Sequence, residues 1–147
     1  MEKENTYDAL KLENQICFPL YAASREIIKR YRPFLDKIGL TYTQYITMMV
    51  LWEEKSITVK ALGKKLFLDS GTLSPVIRSL EEKDLVTKTR DKNDERNVII
   101  AVTKCGEELK EKAKEIPPKI VKCIPMDKND AVLLYTLLHK MLDAMDC

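Results

Sequence analysis

The sequence predicts a mainly helical chain that contains one small β-hairpin. The chain has 147 residues, of which 45% are hydrophobic, and it contains only 4 glycines and 6 prolines. Apolar residues recur at helical spacing over most of the length, and a strand-like pattern replaces this spacing between residues 86 and 103. The length fits a single domain spanning 1–147 and leaves no room for a separate catalytic module.

The first helix is indicated by apolar residues at helical spacing from Ile16 to Tyr31. Pro33 predicts that this helix ends near Tyr31, because a proline disfavours helical backbone at the residue before it. Pro19 leaves two alternatives open. Either the helix starts close to Pro19, or it is kinked there and lacks one backbone hydrogen bond.

Capping residues mark the next two helices. Thr41 and Gln44 form a capping-box pattern, which predicts a second helix that extends to about Glu53 and buries three residues, Met48, Met49 and Trp52. Thr58 is the predicted cap of a short third helix that runs from Val59 to about Leu66.

A fourth helix and the hairpin follow. Asp69 or Ser70 is the predicted cap of this helix, and Pro75 is tolerable because it lies near the start. The buried stripe is predicted to consist of Leu73, Val76, Ile77 and Leu80. Residues 86–90 and 98–103 read as two strands joined by a polar segment, which predicts a hairpin.

Two more helices complete the prediction. Thr103 is the expected cap of a helix that continues to the pair Pro117-Pro118, and Asp127 starts the last helix. One side of the last helix carries an apolar stripe of Leu134, Leu137, Leu138, Met141, Leu142 and Met145.

Composition excludes several classes of protein. Residues 1–10 are polar and acidic, and no run reaches the roughly 18 apolar residues of a membrane span, so we expect a cytoplasmic chain without a membrane partner. The cysteines are far apart and His139 is the only histidine, so no metal site, cofactor or disulfide framework is expected. The net charge of +2 is too small to indicate nucleic acid by itself.

Two short helices followed by a polar hairpin are typical of a winged helix-turn-helix, here over about 41–103. The outer face of the fourth helix is predicted to carry small or basic residues that suit a major groove about 12 Å wide, namely Thr72, Ser74, Pro75, Arg78 and Ser79. The hydroxyls of Ser70, Thr72 and Ser74 are candidate donors to phosphates.

The hairpin supplies basic residues for the minor groove. Arg90, Lys92 and Arg96 are basic, and Asp94 is placed to hold Arg96 by a charge-assisted pair. The residues alone also allow a solvated helix face with an ordinary turn, or a winged helix that contacts another protein.

Cys17 is the candidate reactive group. Peroxides react with the thiolate form of cysteine, and phenolic hydroxyls can stabilise a thiolate. Tyr21 lies one helical turn after Cys17, and further phenols are available from Tyr31, Tyr42 and Tyr45. Ile16, Phe18 and Leu20 form an apolar rim for an apolar oxidant. Spacing alone favours the other interpretation, in which Cys17 is a small buried hydrophobe, since this is the commoner role of a free cysteine.

Four segments of the sequence together carry a family resemblance: L-E-N-Q-I-C-F at 12–18, L-T-Y at 40–42, F-L-D-S-G-T-L at 67–73 and D-E-R at 94–96. They resemble the MarR family of transcriptional regulators, and within it the branch of organic-hydroperoxide regulators. The resemblance extends to about Pro118. It implies a cytoplasmic homodimeric repressor whose terminal helices, about 10–34 and 104–147, interlock and whose two recognition helices address a pseudo-palindromic site in double-stranded DNA.

The resemblance also assigns the sensor. Cys17 falls on the cysteine that organic hydroperoxides oxidise in these regulators, and Tyr21, Tyr31 and Tyr42 match the tyrosines of its pocket, the latter two supplied by the partner subunit. In two-cysteine members a late cysteine of the partner closes a disulfide, a role for which Cys123 is the candidate. Single-cysteine members use a small thiol. Cys105 is a weaker candidate, and Cys147 is reactive only through exposure.

Departures and rival interpretations accompany this assignment. Ser79 replaces a basic residue common in the family's recognition helix, and Pro19 and Thr43 are unusual near the sensor. Relatives with the same cysteine respond to general thiol stress, and other MarR proteins are gated by a noncovalent phenolic ligand. The alternative among enzymes is a thiol peroxidase that uses Cys17, but the sequence lacks an arginine-rich peroxide pocket.

Overall fold

The computed structural model describes residues 7–145, so Cys147 lies outside the described residues. In this range the chain forms seven α-helices: α1 Cys17–Leu35, α2 Tyr42–Glu54, α3 Val59–Leu66, α4 Ser70–Glu82, α5 Lys104–Ala113, α6 Ile116–Cys123 and α7 Lys128–Met145. Three strands accompany them, β1 Ser56–Thr58, β2 Val86–Arg90 and β3 Val98–Val102. Short 3-10 helices occur at Asp8–Leu10, Leu12–Asn14 and Asp36–Ile38.

The predicted hairpin is confirmed, and it is part of a small antiparallel sheet in the order β1-β3-β2. Ile100 of β3 lies opposite Ile57 on one side and Lys88 on the other. Strand β1 was not predicted, because its three residues directly before a helix are too few to show an alternating pattern. The mainly α fold class with a β-hairpin wing is confirmed.

Side-chain caps fix the starts of the central helices. Thr41 and Gln44 form both bonds of the predicted capping box, at 3.3 and 3.1 Å. Asp69 is the cap of α4 and accepts from the Thr72 amide at 2.7 Å, which decides between the two predicted caps. Thr58 and Thr103 cap α3 and α5 as predicted.

The prediction that the first helix ends near Tyr31 is wrong. Helix α1 continues through Pro33 to Leu35, which is 2% exposed. Burial of Leu35 compensates for the one backbone hydrogen bond that Pro33 cannot donate. Pro19 is the third residue of α1, where amides have no helical partner, so the alternative of a start near Pro19 is confirmed.

Two further predictions are corrected. The helix after Thr103 ends at Ala113, and Pro117 and Pro118 lie inside the first turn of a separate helix, α6. Prolines fit a first turn because the amides there have no helical acceptor. Met49 of α2 was predicted to be buried and is 45% exposed, since the buried face of this helix carries Met48, Leu51 and Trp52.

The core lies between α2, α4 and the sheet. Its largest fully buried side chains include Met48, Leu51, Leu62, Leu73, Leu80 and Ile100. The indole nitrogen of Trp52 donates to the carbonyl oxygen of Gly106 at 2.8 Å, which joins α2 to α5. A side chain at position 106 would meet the carbonyl oxygen of Leu85 at 2.3 Å, so this packing requires glycine.

The outer helices leave much apolar surface uncovered. Helix α7 has no buried residue among those described, although it is rich in leucine. Its exposed apolar side chains include Leu133, Leu137 and Tyr135, which are 54–65% exposed. Within residues 7–145, no helix is long and apolar enough to cross a membrane.

Candidate thiol site and nucleic-acid interface

Cys17 is exposed and is the first residue of α1. Its apolar neighbours form the predicted rim and are also open to solvent, with Ile16 85% and Phe18 44% exposed. Cys17 is therefore not packed as a buried hydrophobe within its own chain, contrary to that alternative. An oxidant can approach this thiol directly.

Tyr21 lies four residues after Cys17, which places both side chains on one face of α1. Its hydroxyl accepts from Nη1 of Arg25 at 3.3 Å, and the guanidinium carbon lies 5.4 Å from the centre of the tyrosine ring. Sequence analysis missed Arg25, although its spacing of four residues from Tyr21 was the available signal. The result is a positive charge one turn beyond the predicted sensor tyrosine.

Tyr31 and Tyr42 meet as predicted, and Tyr45 joins them. The ring centres of Tyr31 and Tyr42 are 5.0 Å apart, and Tyr45 lies 5.9 Å from Tyr31 and 6.4 Å from Tyr42. Burial, followed by the proximity of the other two phenols, raises the pKa of Tyr31 to about 12. Burial also raises the pKa of Tyr42 and of Tyr45. These hydroxyls therefore stay protonated and can donate hydrogen bonds at neutral pH.

One chain does not bring Cys17 to this tyrosine cluster. Cys17 and Tyr31 are fourteen residues apart on the continuous helix α1. At the helical rise of 1.5 Å per residue, this separation is about 21 Å. Tyr21 is the only predicted pocket tyrosine that its own chain places on the next turn from Cys17.

The other described cysteines are also exposed free thiols. Cys123 is the last residue of α6, a helix that packs against α1. Cys105 is the second residue of α5 and borders a surface cavity with Leu109 and Lys112. Within residues 7–145, no group of histidine, cysteine and carboxylate side chains has the arrangement of a metal site.

The predicted DNA-facing residues lie on the exposed side of the first turns of α4. Ser70, Thr72, Ser74, Pro75 and Arg78 are all exposed. The hydroxyl of Ser74 donates to the carbonyl oxygen of Ser70 at 2.8 Å. Arg78 pairs with Glu82 at 3.2 Å, and both side chains are largely exposed, so the pair can open at little cost.

Ser79 does not share this face, contrary to the prediction. It is half-buried, and its hydroxyl accepts from Nε2 of Gln44 at 2.9 Å. Gln44 is 6% exposed and sits in the first turn of α2. Ser79 therefore joins α4 to α2, a role that the periodicity of α4 alone did not reveal.

The wing presents Arg96 to solvent in a fixed orientation. Arg96 donates to Asp94 through Nε at 3.1 Å and Nη2 at 3.3 Å, and its backbone amide bonds the same carboxylate. These bonds hold the pKa of Asp94 below its usual value. Arg90 donates to the carbonyl oxygen of Glu95 at 3.3 Å, which ties the strand to the tip.

Lys60 and Lys88 are basic residues of this surface that the sequence analysis did not select. Together with Ser70, Ser74 and Arg96, they line a cavity of about 280 Å³ between α3, α4 and the wing. Within residues 7–145, neither lysine forms an ion pair. The sequence offered no local signal, because residues 60, 74, 88 and 96 converge only in the folded chain.

Comparisons with known proteins agree with this architecture. The organic hydroperoxide resistance transcriptional regulator of Bacillus subtilis is 45% identical, over 97% of both chains. The HTH-type transcriptional regulator SarZ of Staphylococcus saprophyticus is 40% identical, over 97% of this chain and 94% of the relative.

Solved structures of AbfR give the same result. AbfR of Staphylococcus epidermidis is 32% identical, with a TM-score of 0.74 over 92% of this chain and 94% of that one. A second structure shows reduced AbfR bound to DNA, also with a TM-score of 0.74.

The fold and these relatives define a winged helix-turn-helix transcriptional regulator rather than an enzyme. The family described as transcriptional regulator SarA/Rot matches residues 29–114. The chain belongs to this family of regulators. The predicted resemblance to MarR-type hydroperoxide regulators and the interpretation as a redox-sensing regulator are thereby confirmed.

The raised pKa of Tyr31 predicts how the stability of the fold depends on pH. The unfolded chain ionises its tyrosines near pH 10, whereas Tyr31 in the folded chain holds its proton to about 12. The protonated Tyr31 phenol therefore makes its full contribution to the free energy of unfolding below pH 10, and this contribution is lost as the pH rises from 10 to 12. We expect urea unfolding of Tyr31→Phe to show a shallower loss of stability over this range than wild type.

Tyr135→Phe is the control, because Tyr135 stacks on His139 in α7 and lies outside the cluster. This variant keeps all three clustered phenols and so should keep their contribution to the pH dependence. Equal slopes in wild type and Tyr31→Phe would contradict the assignment.

Proposed function

We propose that the protein is a homodimeric repressor that binds operator DNA through α4 and the wing and releases it when Cys17 is oxidised by an organic hydroperoxide or a related thiol oxidant. The observation that carries the proposal is the exposed thiol at the start of a long helix outside the winged helix-turn-helix. The named role of the Bacillus subtilis relative in organic hydroperoxide resistance supports the choice of oxidant.

Helix α4 enters the major groove with its N-terminal turns. The small side chains of Ser70, Thr72 and Ser74 allow close approach, and the positive end of the α4 helix dipole favours phosphate. Arg78 is the basic side chain further along the same face. Arg96 reaches the minor groove from the wing, where a narrow groove attracts arginine.

Lys60 and Lys88 bind phosphates beside the recognition helix. They line one cavity together with residues of the α4 N-terminus and with Arg96, so three positive side chains surround a single concave surface. Contacts of this kind position the protein on the duplex and contribute salt-dependent affinity, whereas base contacts from α4 supply specificity.

The outer helices form the homodimer, with boundaries of about 10–34 and 104–147. Helix α7 exposes apolar side chains around much of its circumference, and a helix of this kind is normally buried. Leu10, Leu12 and Ile16 in the N-terminal segment are likewise exposed. Pairing two chains covers both regions and sets the distance between the two recognition helices.

Dimerisation also completes the sensor site. The tyrosine cluster lies about 21 Å along α1 from Cys17 in the same chain, so the phenols of Tyr31 and Tyr42 reach the thiol from the other subunit. Tyr21 and Arg25 of the same chain form the near side of the pocket. The protonated phenols donate to the thiolate and to its oxidation products.

The chemistry begins with attack of the Cys17 thiolate on the terminal oxygen of the hydroperoxide. The O–O bond breaks, the sulfur is oxidised to a sulfenic acid, and the alkoxide leaves as an alcohol after protonation. A second thiol then attacks the sulfenic sulfur, forms a disulfide and releases water. This thiol is Cys123 of the partner subunit or a small cellular thiol.

The disulfide shifts the dimer between two shapes. AbfR in its disulfide form has a TM-score of 0.59 to this chain, compared with 0.74 for reduced AbfR and 0.76 for overoxidised AbfR, both bound to DNA. The chain is thus more similar to the DNA-bound forms than to the disulfide form, which supports a change of shape on disulfide formation. A thousandfold loss of affinity requires about 4 kcal/mol of differential stability between the two shapes.

Fluorescence anisotropy tests the switch on DNA from upstream of the protein's own gene. We expect one equivalent of an organic hydroperoxide to lower wild-type affinity by about a thousandfold and a reductant to restore it. Cys17→Ser should keep its affinity in oxidant. Cys105→Ser is the matched control, since it also removes an exposed thiol from a helix start and should respond like wild type.

Each failure identifies a different rival. Normal release of Cys17→Ser by the oxidant would disprove the sensor assignment, and release of that variant by a phenolic compound would indicate a noncovalent ligand. Catalytic consumption of hydroperoxide in the presence of reductant would indicate a thiol peroxidase. If oxidant releases DNA from wild type without any added thiol, but releases DNA from Cys123→Ser only when a small thiol is added, Cys123 is the resolving residue.

The basic residues have a distinct signature in salt titrations. Lys60→Met and Lys88→Met should each weaken binding similarly on specific and nonspecific DNA and should each reduce the salt slope by about 1. Lys114→Met is the control, because Lys114 is paired with Glu111 on α5 and is not among the residues of the cavity. An unchanged salt slope for both variants would place the phosphate contacts elsewhere.

The dimer interface is tested by sedimentation velocity. Leu137 of α7 is 54% exposed in the single chain, and Leu137→Glu should shift the protein towards monomers because it buries a charge in the interface. Phe67→Glu is matched to it, since Phe67 is 51% exposed but lies between α3 and α4. If both variants remain dimeric, α7 is not the interface.

A further inference from the structure

Gln44 is a buried polar side chain whose hydrogen bonds connect two helices and a loop. Its carbonyl oxygen Oε1 accepts from the Thr41 amide at 3.1 Å and from Nζ of Lys83 at 2.9 Å. Its Nε2 donates to the Ser79 hydroxyl at 2.9 Å. Lys83 also donates to the carbonyl oxygen of Gly39 at 2.6 Å. The C-terminal end of α4 is therefore bonded to the segment that starts α2.

The same segment carries two members of the tyrosine cluster. Tyr42 and Tyr45 flank Gln44 in the first turn of α2, and their rings lie within 6.4 Å of each other and of Tyr31. Because Thr41 and Gln44 close the capping box, a displacement of Tyr42 moves the backbone to which Gln44 is bonded. The tyrosines and the hydrogen bonds to α4 thus belong to one rigid turn.

The anchored end of α4 is opposite to its DNA-facing end. Ser79 and Lys83 lie at the C-terminal end, whereas Ser70, Thr72 and Ser74 lie at the N-terminal end. Helix α4 has 13 residues and is about 20 Å long. A small tilt imposed at Ser79 and Lys83 therefore displaces the N-terminal turns within the groove.

We propose that Gln44 is a positioning residue that, through Ser79 and Lys83, transmits the state of the tyrosine cluster to the recognition helix. This inference rests on the proposed function, because the cluster changes state only if Cys17 is the sensor. It adds a role for three residues that contact neither the thiol nor DNA. Ser79 and Lys83 set how strongly oxidation is coupled to DNA release.

The test compares the fold-decrease in DNA affinity on oxidation among variants of the full-length protein. Lys83→Met keeps the aliphatic stem and removes the bonds to Gln44 and Gly39, and Ser79→Ala removes the acceptor of Nε2. Each should reduce the oxidant-induced decrease in affinity by about tenfold, while the affinity of the reduced protein changes by less than that. The rate of sulfenic acid formation at Cys17, followed with a trapping reagent, should stay at the wild-type value.

Two controls separate positioning from charge and from folding. Lys83→Arg retains charge and donors and should restore the wild-type ratio, whereas Lys114→Met removes an exposed lysine directly after α5 and should leave the ratio unchanged. Melting temperatures identify any variant that does not fold. If Lys83→Met does not fold, the oxidant-induced decrease in DNA affinity is measured with Ser79→Ala instead.

The outcomes distinguish this inference from the proposed function. If oxidant does not release wild type from DNA, the proposed function fails and the inference fails with it. If wild type is released and both variants are released by the same factor, only the inference is overturned. An equal loss of affinity in the reduced and oxidised states would assign Ser79 and Lys83 a purely structural role and would also overturn it.

Discussion

The burial of α2 is the constraint on which the remaining elements depend. Six of its thirteen residues are buried, among them Met48 and Leu51 with no exposed surface. Helix α4 packs on one side of α2, and the sheet and α5 pack on the others. The Trp52 indole fixes α5 through the Gly106 carbonyl, at a point where the backbones approach too closely for any side chain at 106. The positions of the recognition helix and of the wing are thus both defined relative to α2.

This central position is consistent with the proposal that a thiol outside the winged helix-turn-helix acts on the DNA-binding elements. The N-terminal turn of α2 carries the phenols of Tyr42 and Tyr45, and the remainder of the helix is packed against the DNA-binding elements. A close-packed helix does not deform locally, so a force on its first turn is distributed to its neighbours. The hydrogen bonds of Gln44 add a directed connection to α4, which nonpolar packing alone does not provide.

The sequence was most informative where structure is determined locally. Thr41, Thr58, Asp69 and Thr103 each satisfy amides within the next three residues, so their roles were visible without the fold. Pro33 misled the prediction because the tertiary burial of Leu35 outweighs a local preference. The pair Pro117-Pro118 was predicted to end the preceding helix, but both prolines lie in the first turn of α6, a helix too short to show a periodic pattern.

The candidate sites divide in the same way. The helical period predicted most of the exposed residues of α4. The spacing of two residues between Asp94 and Arg96 predicted their ion pair. Lys60 and Lys88 line one cavity although they are 28 positions apart, and Gln44 bonds Ser79 across 35 positions. Only the folded chain shows these two arrangements. Periodicity placed Ser79 on the outer face because it contains no information about which helix passes beside it.

The two-fold symmetry of the proposed homodimer gives the separation along α1 a functional meaning. Cys17 and Tyr31 lie near opposite ends of α1, so two such helices crossing in opposite directions place each thiol near the phenols of the other chain. An isologous pairing that forms one sensor site necessarily forms the second. Each site then contains the thiol of one chain and the α2 turn of the other. In the proposed dimer, oxidation of a single Cys17 would therefore act first on the recognition helix of the partner subunit, and one oxidised thiol would be sufficient to disturb the spacing of both half-site contacts.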